Sequence, residues 1–132
     1  MAFLDSSVII DYLDGVDRVV EFVDDTSHLL TSSICVYETL EGEVLGSGQT
    51  DVVGARQAFG RIEAIDFNEM IALEAARMQD RLVSNGDPMP VRDLLIAASA
   101  RSTGDVLVVS DDDFDLSSLR MMMDVRNLQA DE

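Results

Sequence analysis

Short apolar runs alternate with longer segments of helical spacing along the whole chain, and polar turns separate them. AFLD at the start reads as a buried strand, after which SSVIIDYLDG changes to helical spacing and stops at Gly15. Val16 to Val23 predict a second short helix, and His28 to Thr31 a second strand entered through polar DDTS. Ser32 or Ser33 can cap the helix that follows. In it Val36, Leu40 and Val44 recur every four residues before Gly46 and Gly48 end it. Thr50 to Gly60 reads as helix and Ile62 to Asp66 as a third strand.

Phe67, Ile71, Ala75, Met78 and Leu82 then mark one face of a long helix, with arginines and acids on the other. SNGDPMP breaks it. Asp93 opens LLIAASA, a helix so continuously apolar that it must be largely buried, and Gly104 terminates it. VLVVS is the clearest strand of all and runs into Asp111, Asp112 and Asp113. Met121 to Val125 supply a last strand, and Gln129 to Glu132 read as a frayed end. Strands alternating with helices imply an α/β fold in three layers, α/β/α, around a central parallel sheet of about four or five strands. With 132 residues and no repeat or low-complexity tract, the chain forms a single domain, 1-132.

Composition narrows the setting. The formal charge is −17, and all nine basic residues are arginine. Such a charge repels nucleic acid in dilute buffer and opposes compaction. At 1 M salt the screening length is roughly 3 Å, so the repulsion fades while the acids still hold water and cations. Loss of lysine together with this excess points to a halophile protein. Almost half the residues are apolar, which excludes disorder. Cys35 is the sole cysteine and His28 the sole histidine, so neither a disulfide within the chain nor a structural zinc site is available. Cys35 reads as a small buried hydrophobe. No basic leader with an apolar run and no membrane-spanning stretch is visible, and a cytoplasmic location with no membrane partner follows.

Candidate chemistry lies at four junctions where an apolar element meets a polar turn: MAFLDSS, SSICVYE, PVRDLLIAASA and VLVVSDDDF. They carry Asp5, Glu38, Asp93 and Asp111. In a parallel sheet ligands bind beyond the carboxyl ends of the strands, where Asp5 and Asp111 would fall. Gathered carboxylates without lysine repel one another unless a hard cation neutralises them, and magnesium takes oxygen ligands of this kind. Singly, each aspartate is also explained as a helix N-cap. Glu38 lies at the border of an apolar stripe, but Glu41 shares that neighbourhood, and helical geometry does not choose between them.

Four stretches in order, LDSSVIIDYL, TSSICVYETLEG, RDLLIAASA and VLVVSDDDF, make the chain resemble the PIN-domain ribonucleases, most of all the VapC-type toxins of toxin-antitoxin pairs. The resemblance implies a Mg2+- or Mn2+-dependent endoribonuclease with metal-binding acids at Asp5, Glu38, Asp93 and Asp111, and so selects Glu38 over Glu41. It adds Ser6 as a supporting hydroxyl and Asp113 as a more peripheral acid. It implies hydrolysis by metal-activated water, leaving a 5′-phosphate and a 3′-hydroxyl. Three consecutive aspartates blur the family spacing, with Val109 or Ser110 where a threonine is common, so the ligand within Asp111 to Asp113 stays open. Arg92, beside Asp93, is the candidate contact to substrate phosphate. Expected partners are RNA, a cognate antitoxin and a second copy in a homodimer.

Other classes fit less well. A phosphoacceptor receiver domain needs a lysine, and a haloacid-dehalogenase-type phosphatase needs an aspartate where Ser7 stands. A PIN nuclease of RNA processing or turnover would carry the same acids. A non-catalytic acidic module would have no reason to keep all four.

Overall fold

The computed structural model describes residues 1–46 and 48–129. Its centre is β1 (Ala2–Leu4), where Phe3 and Leu4 are fully buried. A strand covered on both faces requires an unbroken apolar run, which AFL supplies. Beside it lie β2 (Leu29–Ser32) and β4 (Val106–Val109), with β3 (Glu63–Ile65) and β5 (Val125–Asn127) at the edges. The order is β3-β2-β1-β4-β5, and every pairing is parallel. Phe3 is in register with Leu30 on one side and Leu107 on the other.

Seven helices among the described residues flank this sheet: α1 (Ser6–Leu13), α2 (Asp17–Asp25), α3 (Ser33–Leu45), α4 (Val52–Gln57), α5 (Glu69–Ser84), α6 (Val91–Thr103) and α7 (Ser117–Arg120). Side-chain caps start several of them. Asp5 accepts the Ser7 N–H, Ser32 that of Ile34 and Asn68 that of Ile71. Gly104, at φ 78°, takes the left-handed conformation that closes α6 at little steric cost. On α5, Ile71, Ala75, Met78 and Leu82 form the buried face that the spacing predicts. None of the helices described is long and apolar enough to cross a membrane.

Three elements depart from the sequence reading. On α3 the buried residues are Cys35 and Thr39, whereas Val44 is 53% and Leu45 77% exposed. Residues 36, 40 and 44 do lie along one side of that helix, but only Val36 and Leu40 pack against the core. Helix α6 starts at Val91, two residues before Asp93, with Pro90 as its N-cap at ψ 147°; Asp93 therefore sits inside the first turn. The final strand is Val125–Asn127 and not Met121 to Val125. Leu119 anchors α7 in the core, and Met121 ends that helix at 81% exposure, so the chain enters the sheet later. Gln129 is exposed, and the rest of the stretch read as frayed, 130–132, lies outside the described residues.

All five strands point the same way, so their carboxyl ends share one edge. The connections from β1 and β4 leave in opposite senses, which opens a crevice between these two neighbours. Asp5 follows β1 and Ser110 follows β4 at that crevice.

Candidate metal centre

Asp5 is 3% exposed, an expensive place for a charge. Its backbone N–H donates to Val108 O at 3.0 Å, which fixes the end of β1 against β4. Its Oδ2 accepts the Ser7 hydroxyl at 2.7 Å, and the Ser7 oxygen accepts the Ser110 N–H at 2.9 Å. Ser110 Oγ donates in turn to Asp11 at 2.5 Å. Burial pushes the Asp5 pKa up to about 7; the Ser7 hydroxyl opposes that rise, and the charges of Asp111 and Glu38 add to it.

Glu38 approaches from α3. Asp5, Glu38 and Cys35 each offer an atom within 4.8 Å of the others. Glu38 Oε1 accepts from Ser6 Oγ at 3.3 Å and Oε2 from Arg92 Nε at 3.0 Å. Its pKa is raised by burial, against the pull of Arg92 and Ser6. Glu41 instead accepts the Tyr37 hydroxyl at 2.7 Å on the exposed side of α3. The two glutamates differ in position: Glu38 lies beside Asp5, and Glu41 is turned to the exposed side. Burial drives the Cys35 thiol up to about 12, with Asp5 adding to the effect, so the thiol remains protonated beside the acids.

Asp93, in the first turn of α6, and Asp111, just beyond β4, stand outside that tight group and couple to it through charge. The Asp93 pKa is raised by burial, then by Asp113 and Asp111, with Arg92 opposing. That of Asp111 is raised by burial and by Asp113 and Asp112, against the Asp113 N–H and the Ser7 hydroxyl. Asp111 Oδ1 accepts that N–H at 3.1 Å, which folds the acidic run into a tight turn. Asn127 on β5 clamps the turn by donating to Asp111 O at 2.8 Å. His28 is exposed at the start of β2, the sheet edge away from the acids.

The model of the PIN domain matches residues 2–116. The chain belongs to the PIN-domain family. No curated protein sequence matches it significantly. Among solved structures, VapBC-1 of nontypeable Haemophilus influenzae aligns at TM-score 0.79 and 21% identity, over 97% of this PIN domain and 98% of that chain. VapBC2 of Rickettsia felis, bound to a DNA fragment from its promoter, aligns at 0.77 and 19%, over 96% and 97%. VapC20 of Mycobacterium tuberculosis, a toxin described as cleaving the sarcin-ricin loop, aligns at 0.65 and 17%, over 87% and 93%. At these identities the likeness is one of fold.

PIN-domain proteins are generally metal-dependent nucleases, and the residues here fit a hard divalent cation. The donors at the crevice are carboxylate and hydroxyl oxygens, the Cys35 thiol beside them is held protonated, and four acids are each pushed upward by burial and by neighbouring carboxylates. A cation between them would relieve both penalties. The sequence singled out Ser6, which does reach Glu38, but passed over Ser7 and Asn127, which position Asp5 and the Asp111 turn. Ser7 carried a faint signal, being the second residue after a helix-capping aspartate. Asn127 carried none, since its place depends on β5 pairing with β4.

Proposed function

We propose that this PIN domain is an Mg2+- or Mn2+-dependent endoribonuclease, the toxin of a VapBC-type pair, in which Asp5, Glu38, Asp93 and Asp111 hold the cation and Asp113 supports them from outside. The observation that carries this reading is the buried Asp5 carboxyl, flanked by Glu38 and charge-coupled to Asp111 at the crevice between β1 and β4. Such a burial is costly for the metal-free fold and is turned to use when a cation binds. When bound, the cation supplies a water acidic enough to deprotonate near neutral pH and a Lewis acid for the phosphoryl oxygen. Ser7 and Ser6 orient the Asp5 and Glu38 oxygens, and Asn127 holds the acidic turn in place. The solved relatives include toxin-antitoxin complexes and complexes with DNA, which supports a cognate antitoxin as partner.

The test is cleavage of total RNA in molar KCl with Mn2+, comparing the native protein with Asp5→Asn and Asp93→Asn. Cleavage by the native chain alone is expected. Equal cleavage by all three would sink the assignment.

A further inference from the structure

We infer that Arg92 is an exchangeable counter-ion: it occupies Glu38 while the crevice lacks a divalent cation, and moves to a phosphate of bound RNA once the cation enters. This rests on the metal-nuclease reading above and adds an order of events to it. Arg92 Nε lies 3.0 Å from Glu38 Oε2, and the other Glu38 oxygen takes the Ser6 hydroxyl, so both oxygens already have donors before any cation arrives. The two partners differ in freedom. Arg92 has a side chain 66% exposed, whereas that of Glu38 is 16% exposed. The arginine can swing into solvent at small cost, while the glutamate is fixed between α3 and the sheet.

Four other arginines have fixed structural partners. Arg56 donates to Phe59 O and Ile62 O, Arg61 to Val23 O and Thr26 O, Arg101 to Met122 O and Glu74, and Arg120 to Val125 O. These bonds tie helices to loops, to one another and to the sheet. Arg92, by contrast, pairs with a site acid and offsets the charge of Asp93 as well. A divalent cation held there would supply the same neutralisation with twice the charge and would repel a guanidinium on the same carboxylate. Released at the mouth of the crevice, a planar guanidinium suits a phosphate, which it can grip through two parallel bonds. In a chain of charge −17, RNA contact depends on such a residue becoming available at the right moment.

The exchange is read directly in the Arg92 Nε–Hε signal by NMR, assigned through its loss in Arg92→Lys, while Mg2+ is titrated. Protection of that proton from solvent without Mg2+ and its loss at saturation are expected. In calorimetry Arg92→Ala should bind Mn2+ about two- to fivefold more tightly, the range for one exposed ion pair, while its KM for RNA rises and its thermal stability stays near native. A signal that stays protected in saturating Mg2+, in protein that cleaves RNA, would leave Arg92 as a permanent brace and overturn the exchange alone. Absence of both Mg2+ binding and cleavage would overturn the nuclease reading and the exchange together.

Discussion

Ser7 Oγ donates to Asp5 Oδ2 at 2.7 Å, and in doing so joins the end of β1 to the first turn of α1. The same oxygen receives the Ser110 N–H, so removing it leaves a buried donor unmatched as well as a buried carboxyl. Ser7→Ala should lower stability by about 1–2 kcal/mol in chemical denaturation. RNA cleavage should fall with it, because Asp5 loses its orientation. Ser7→Thr, which keeps the hydroxyl, should restore part of both.

Asp5 makes stability depend on pH in a defined direction. Its folded-state pKa, about 7, lies above the 3.8 of an ordinary aspartate carboxyl. Between those values the folded state holds a proton that the unfolded chain has released, so stability is greatest below about pH 4 with respect to this group and declines as pH rises to about 7. Glu38, Asp93 and Asp111 are shifted in the same direction. Asp5→Asn removes the buried charge and keeps a good helix cap. The metal-free variant should gain on the order of 2–4 kcal/mol at pH 8 and nothing at pH 4. Denaturation curves at the two pH values decide it, and an unchanged difference would remove the buried-charge account.

Divalent cation should reverse that decline. Saturating Mn2+ at about a hundred times its dissociation constant adds about 2.7 kcal/mol to the folded state. Melting temperature in molar KCl should therefore rise with MnCl2 and fall back with EDTA in the native protein. Asp5→Asn should respond little to either.

Within the acidic run the three aspartates should separate. Asp111 and Asp113 both act on Asp93, whereas Asp112 is exposed and its Oδ1 lies 3.5 Å from Asn127 Nδ2. Asp111→Asn should abolish RNA cleavage and Asp113→Asn should reduce it. Asp112→Asn should leave the rate within about twofold, in line with the small effects usual for exposed positions.

Asn127→Ala tests the clamp from β5. Its amide donates to Asp111 O at 2.8 Å and its carbonyl oxygen accepts the Gln129 N–H at 3.0 Å. Loss of these bonds should cost about 1–2 kcal/mol and weaken Mn2+ binding measured by calorimetry. Unaltered Mn2+ affinity would show that the turn holds its shape without help.

What the sequence made legible was what local physics controls. The apolar run at Phe3, the heptad-like face of Ile71, Ala75, Met78 and Leu82, and the stop at Gly104 each follow from spacing or from one residue's backbone freedom. The methionine run at 121 to 123 defeated the same reasoning, since hydrophobicity alone does not distinguish the exposed end of α7 from the start of a strand. At the crevice, individual acids were visible as junction residues, and Asp5 could be placed by its strand. Helical spacing did not separate Glu38 from Glu41; the family resemblance chose Glu38, and what α3 packs against puts it beside Asp5. Ser7 meets Ser110 across 103 residues and Asn127 meets Asp111 only once β5 has paired with β4, and neither contact leaves a local trace.

β1 comes first in the chain yet occupies the middle of the sheet, with β4 as one of its two neighbours. During synthesis Asp5 and Glu38 emerge early, but the strand that seats Asp5 and carries Asp111 follows only after α6. Until Val108 accepts the Asp5 N–H, the four acids have no common edge. The growing chain thus holds its acids apart for most of its translation, and the proposed cation site is assembled only when β4 arrives to close the sheet.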